Sequence, residues 1–165
     1  MDAEELLRRY AGGERDFSGI SLRRANLKGL NLSGINLSGA DMYAAHLKDI
    51  HLNRANLTGA NMLDILLEDS ELNDANLSRS ELNGATVRNC SLKRVQLEGA
   101  NLIEVHMDTV DLEGANLRKS PLDETFFYNC NLKDALLDDD SWWRCCYVKA
   151  SIMPGGDLFT NVIDE

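Results

Sequence analysis

A large apolar residue recurs at every fifth position, without a slip, from Phe17 to Trp142. The series runs Phe17, Leu22, Leu27, Leu32, Leu37, Met42, Leu47 and on through Leu132, Leu137 and Trp142, 26 apolar residues at 26 positions. A period of five matches neither the 3.6-residue stripe of a helix nor the two-residue alternation of a half-buried strand. Self-similarity at a fixed period is the mark of a solenoid. The slot two residues before each large one holds only Ala, Ser, Thr, Cys, Val, Ile or Leu from Ile20 to Ala135. In extended chain, residues i and i−2 point to the same side. Each unit therefore turns one large and one smaller side chain inward. The other three positions are mostly Asn, Asp, Glu, Ser, Lys, Arg and Gly, and they face water.

The units Ala25-Asn26-Leu27-Lys28-Gly29, Ala55-Asn56-Leu57-Thr58-Gly59, Ala60-Asn61-Met62, Ala75-Asn76-Leu77-Ser78-Arg79 and Ala115-Asn116-Leu117 carry a common pattern. It resembles the A-(D/N)-L-x-x consensus of the pentapeptide repeat family, over residues 15–142. The resemblance implies an all-β fold, a right-handed quadrilateral parallel β-helix with a short N-terminal α-helical cap. Four pentamers would form one square coil of about 20 residues. About six coils at ~4.8 Å would give a rod roughly 30 Å long. The implied organisation is a capping helix in 1–14, the repeat in 15–142, and a C-terminal cap and tail in 143–165.

A solenoid must cover its two open ends. At the first, Asp2 with Glu5 reads as a capping box, Leu6, Leu7 and Tyr10 as an apolar stripe, and Gly12-Gly13 as a stop. This predicts a helix over 2–11. At the other end the pattern blurs after Leu137, where Asp140 takes a slot that should be small and apolar. Trp142, Trp143, Tyr147, Ile152, Met153 and Phe159 are expected to cover the last coil. Met153-Pro154-Gly155-Gly156 reads as a turn and resembles tails of cyanobacterial members of the family. The last few residues are expected to fray.

The formal net charge of −10 argues against direct nucleic-acid binding, which needs a basic footprint, and against anionic membrane surfaces. No apolar run reaches the ~18 residues of a transmembrane helix. The acidic, amphipathic N-terminus lacks the apolar core of a signal peptide. A cytoplasmic location with reduced cysteines is expected. The sequons at Asn31, Asn36, Asn56 and Asn76 are by-products of the repeat.

With residues 20 apart in one column, side chains can be placed in space. His46 and His106 share a column about 14 Å apart, and His51 joins neither, so no metal site follows. Cys90 and Cys130 fill the inward small slot two coils apart, near 10 Å, too far for a disulfide. They read as core thiols. Cys145-Cys146 is a weak metal or redox signal. No nucleophile–base pair, phosphate loop or dinucleotide motif appears, and a filled rod offers no concave site. No catalytic residue, metal or cofactor is implied.

The faces differ. Around Leu22, Met42, Met62, Leu82, Leu102 and Leu122 the outward positions include Asp41, Asp64, Glu81, Glu104, Asp123 and Glu124. The column after the large residue contributes Tyr43, Leu63 and Ile103, expected to be exposed among the carboxylates. Such a line marks an interface. The neighbouring face adds Leu66, Phe126 and Tyr128. The expected function is non-enzymatic: a protein-interaction or regulatory rod, monomeric or weakly dimeric, with an unidentified protein partner. The alternative is a DNA mimic that modulates DNA gyrase or another type II topoisomerase. The family's quinolone-resistance members are acidic rods of that kind. This chain departs from them in its Leu-rich centre and its lack of projecting loops.

Overall fold

The computed structural model describes residues 3–138 and 146–160. One helix, α1 (Ala3–Ala11), precedes seven parallel strands. These are β1 (Asn26–Lys28), β2 (His46–Lys48), β3 (Leu66–Glu68), β4 (Thr86–Ser91), β5 (His106–Asp111), β6 (Phe126–Tyr128) and β7 (Tyr147–Lys149), hydrogen-bonded in sequence order. Between β1 and β6 the partners lie 20 residues apart, as in Leu27↔Leu47, Leu67↔Val87 and Met107↔Phe127. Bridges such as Asn31↔His51, Asn36↔Asn56 and Asp41↔Asn61 repeat that offset on the other three sides. The chain is a parallel β-solenoid with four five-residue sides per coil. Each side is named below by its first large residue: the Leu22, Leu27, Leu32 and Leu37 faces.

One unit explains the rest. Ala55 and Leu57 point inward and are buried. The Leu57 amide donates to Asn76 O of the next coil (2.7 Å), and the Gly59 amide to Ser78 O (3.0 Å). The Ala60 amide donates to Leu57 O (3.0 Å), closing a corner with Gly59 at φ +63°. Positive φ at the third residue is the requirement of a type II turn. Asn56 Oδ1 accepts the Thr58 amide (3.1 Å), while its Nδ2 donates to Asn36 Oδ1 one coil back (3.0 Å). The Asn or Asp before the large residue thus caps its own corner and ties it to the coil below. Positive φ recurs at every fifth residue from Gly19 to Asp134. Arg24, Asp64 and Thr109 hold it without being glycine, a strained state that the surrounding coils enforce.

The central residues from Phe17 to Leu132 are at most 4% exposed and join in one core cluster. Full burial of each is worth about 1.5–3 kcal/mol. Hydroxyls in the small inward slot find carbonyls: Ser80 Oγ donates to Leu77 O and Thr125 Oγ1 to Leu102 O, both at 2.7 Å.

At the N-terminal end Leu6 is fully buried in the core. The Tyr10 hydroxyl donates to Ser33 O (2.7 Å), and the Arg15 guanidinium lies over the Tyr10 ring. Leu7, expected in the same stripe, is instead exposed, because Leu6 and Tyr10 occupy the face turned to the coil. The helix stops as a Schellman motif. The Gly13 amide donates to Tyr10 O, the Glu14 amide donates to Arg9 O, and Gly13 takes φ +97°. Asp2 lies outside the described residues.

At the C-terminal end the offset changes from 20 to 21, with Phe127 opposite Val148. Val148, not Tyr147, therefore turns inward, and Tyr147 is 46% exposed rather than lying over the last coil. The parallel sheet continues one strand past residue 142. An antiparallel hairpin of β8 (Ser151–Ile152) and β9 (Leu158–Phe159) follows, and Met153 and Phe159 pack on the core. The turn between them closes through the Gly156 amide to Met153 O (2.8 Å). Asp140, Trp142 and Trp143 lie outside the described residues, as do the last residues of the chain, where fraying is expected. No described helix is long and apolar enough to cross a membrane.

Candidate protein-binding face

On the Leu22 face, the bridges Ser21↔Asp41, Asp41↔Asn61, Asn61↔Glu81 and Glu81↔Asn101 set the first outward column. Asn61 Nδ2 donates to Asp41 Oδ1 and Asn101 Nδ2 to Glu81 Oε2, both at 3.0 Å. Burial pushes the Asp41 carboxyl up, but hydrogen bonds from Arg23, the Tyr43 amide and Asn61 outweigh it. The net value lies below the usual carboxylate range. Arg23 also pairs with Asp41 at 3.1 Å and lays its guanidinium 4.5 Å from the Tyr43 ring centroid.

Tyr43, Leu63 and Ile103 occupy the next column, as expected, but all three are half-buried rather than exposed. Side chains one coil apart lie against one another, as Arg23 does on Tyr43. The corner column holds Asp64, Glu104 and Glu124, all exposed, with Asp123 exposed beside them.

Ion pairing separates this face from the opposite one. Among the described residues, no Lys, Arg or His comes within ion-pairing distance of Asp64, Glu81, Glu104, Asp123 or Glu124. The Leu32 face neutralises itself. Arg94 clasps Asp74 at 2.7 and 2.8 Å, Lys93 reaches Asp111 and Glu113, and His51 meets Glu71 at 3.2 Å. In the sequence this face mixes both signs, and an offset of 20 sets His51 beside Glu71, Asp74 beside Arg94 and Lys93 beside Glu113.

The other chemical candidates stay apart. His46 Nε2 lies 3.1 Å from Glu68, so His46 and His51 each have a carboxylate partner rather than water alone. Among the described residues no three His, Cys, Asp or Glu side chains gather as metal ligands. Cys90 and Cys130 are buried free thiols, pushed up by burial to about 11 and about 12. Cys146 is buried and Cys145 lies outside the described residues. Two corner notches open where a glycine leaves a column short. One, at Gly99, has Arg79 and Lys119 on either side; the other, at Gly34, is lined by Arg54 and Asp74.

Comparison with known proteins agrees with this architecture. The family description Pentapeptide repeat region matches residues 34–102, and Pentapeptide repeats (8 copies) matches 15–43 and 90–127. No relative was found among curated proteins. Among solved structures, the chain is similar to HetL, a pentapeptide repeat protein involved in heterocyst differentiation regulation from the cyanobacterium Nostoc sp. strain PCC 7120. Identity is 24%, over 96% of this chain and 100% of that one, with a TM-score of 0.31. It is similar to alr5209, a pentapeptide repeat protein from Nostoc PCC 7120, at 25% identity over 90% and 96% of the two chains, with a TM-score of 0.36. It is also similar to QnrB1, a plasmid-mediated fluoroquinolone resistance protein, at 17% identity over 86% and 71% of the two chains, with a TM-score of 0.51. With its right-handed quadrilateral β-helix and five-residue register, the chain belongs to the pentapeptide repeat family.

Proposed function

We propose that this protein is a non-enzymatic interaction module that docks a partner protein on the acidic part of its Leu22 face. The observation that carries this reading is the contrast in ion pairing. Asp64, Glu81, Glu104, Asp123 and Glu124 have no cationic partner among the described residues, whereas the Leu32 face pairs its charges internally. Uncompensated carboxylates around half-buried Leu63 and Ile103 suit a complementary, positively charged surface. The protein acts in the cytoplasm in this reading, where its buried thiols stay reduced. The test is affinity capture from a lysate of the source organism with wild-type protein and with Leu63→Lys plus Ile103→Lys. The double variant should lose the partner while its circular dichroism stays β-type. Retained capture rejects this face.

A second reading, the DNA mimic acting on a type II topoisomerase, draws on charge distribution. Residues 61–165 hold 9 Lys and Arg against 20 Asp and Glu, a formal −11, while residues 1–60 hold 8 against 7, a formal +1. A mimic should inhibit gyrase supercoiling at micromolar protein. No inhibition at ten times that concentration removes this reading.

A further inference from the structure

The Leu27 face ends in a ladder of aromatic rings. His106 stacks on Phe126 with centroids 4.3 Å apart and planes 9° from parallel. Phe126 stacks on Tyr147 at 4.5 Å and 11°, and Tyr128 stands 6.0 Å to the side. The pairings His106↔Phe126 and Phe126↔Tyr147 impose this order, because parallel partners sit about 4.8 Å apart. The rings lie outside the rod; Met107, Phe127 and Val148 take the inward places. The strands do not need the rings, since Thr86 fills the same column one coil earlier. Tyr147 is one of four exposed large apolar residues among those described.

The surroundings select the occupant. Exposed Glu104 and Glu124 stand on the corner shared with the Leu22 face, and exposed Asp108 pairs in register with Tyr128 on the other flank. None of the three has a cationic partner among the described residues. The same column holds two cations, exposed Arg88 in register with Asp108 one coil earlier and Lys149 after Tyr128, so the acidic side of the ladder is the Glu104 and Glu124 corner. A second copy of this chain would bring its own strongly acidic half against this one. A basic segment meets complementary charge instead. Phe126 has both faces covered by His106 and Tyr147, so a cation meets the outer faces of the two end rings. Of the basic side chains, the guanidinium is planar, weakly hydrated and stacks on such a face, whereas an ammonium is a hydrated point charge.

We propose that the ladder of His106, Phe126 and Tyr147, flanked by Glu104, Glu124 and Asp108, is the docking strip for an arginine-bearing segment of a partner protein. The inference rests on the protein-binding reading above and places its anchor at the corner with the Leu27 face.

The probes are nona-arginine and nona-lysine peptides, titrated calorimetrically into the full chain at low salt. Nona-arginine should bind at least fivefold more tightly than nona-lysine. Phe126→Thr plus Tyr147→Thr, which repeats the residue type found at Thr86, should weaken nona-arginine binding about tenfold and erase the preference. Phe126→Leu plus Tyr147→Leu keeps apolar bulk without rings and should erase it too, which guards against a folding defect in the threonine pair. Equal affinity of the two peptides, or a preference that survives both variants, overturns the strip. The Leu63→Lys plus Ile103→Lys protein separates the two readings. Lost capture with no arginine preference in wild type keeps the Leu22 face and removes the strip. Arginine preference with undiminished capture does the reverse.

Discussion

The Asp64 carboxylate leans over Gly84, with Oδ1 2.6 Å from where a β-carbon on residue 84 would stand. Gly84 also takes φ +69°. Two effects therefore oppose Gly84→Ala. The carboxylate is the free end of a flexible side chain and can swing aside, so the backbone term dominates, at about 1–2 kcal/mol for a left-handed residue bearing a β-carbon. The stiffer unfolded chain returns about 0.4–1 kcal/mol of that, so Gly84→Ala should lower the melting temperature by up to about 6 °C. The loss should be nearly the same in an Asp64→Ala background. A much smaller loss there would identify the carboxylate contact as the main cost.

The reverse change should stabilise. Thr109 holds φ +58° although it is β-branched, and its hydroxyl bonds only to exposed Asp108. Thr109→Gly removes about 1–2 kcal/mol of strain and returns about 0.4–1 kcal/mol of that through a more flexible unfolded chain. The net gain should be up to about 1.6 kcal/mol, read as a higher midpoint in urea at unchanged m-value. A lower midpoint would show that the corner does not strain its residue.

Stability should fall in acid. Arg94 holds the Asp74 carboxyl below its usual range through paired hydrogen bonds; Lys48 does the same for Asp69 and Lys119 for Glu98. A carboxyl with a depressed folded value is protonated first in the unfolded chain. Its contribution is fully present above the unfolded value of about 4 and is lost as pH drops through the folded value. The melting temperature should be level near neutrality and decline below about pH 4.5. Arg94→Met should make that decline shallower; an unchanged slope would contradict the Arg94–Asp74 pairing.

The thiols give a separate readout. Burial raises Cys90 to about 11 and Cys130 to about 12. Their sulfurs donate to the Arg88 carbonyl at 3.0 Å and the Tyr128 carbonyl at 3.2 Å. At pH 8 the Cys90 thiolate fraction is about 10⁻³, and the thiolate is the reacting form. Mass mapping after iodoacetamide treatment should find both residues unmodified in the folded protein and alkylated in guanidinium. Alkylation under native conditions would mean that these coils open readily.

Much of this could be read from the sequence, for a physical reason. Ala55 and Leu57 lie inward because the period admits only one burial register, and that register persists to Leu137. Positive φ at Arg24 or Thr109 left no mark, because stacked coils impose it on residues that do not favour it. The one-residue slip before Val148 was hidden since Tyr147 and Val148 are both apolar and either fits the inward place. On the candidate face the column was right and its exposure wrong. Outward side chains of a solenoid shelter one another, and a one-letter pattern does not count the neighbour 20 residues away. The ring ladder was half visible: Phe126 and Tyr128 stood out, but His106 and Tyr147 joined them only once the register across the slip was known.

The strongest constraint on the fold is the inward leucine, and Leu77 tests it. It is 2% exposed, its amide donates to Gln96 O at 2.7 Å, and its carbonyl accepts both the Ser80 amide and hydroxyl. Leu77→Asp would bury a carboxylate with no cation in reach, at a cost of several kcal/mol. Leu77→Met keeps volume and polarity and should cost less than about 1.5 kcal/mol. A solenoid's stability is close to a sum of nearest-neighbour contacts. The aspartate should therefore unfold the central coils and lower the cooperativity of melting as well as its midpoint. Hydrogen exchange should locate the opening around Leu57, Leu77 and Leu97. A melting curve equal to that of Leu77→Met would mean that this column does not face the core.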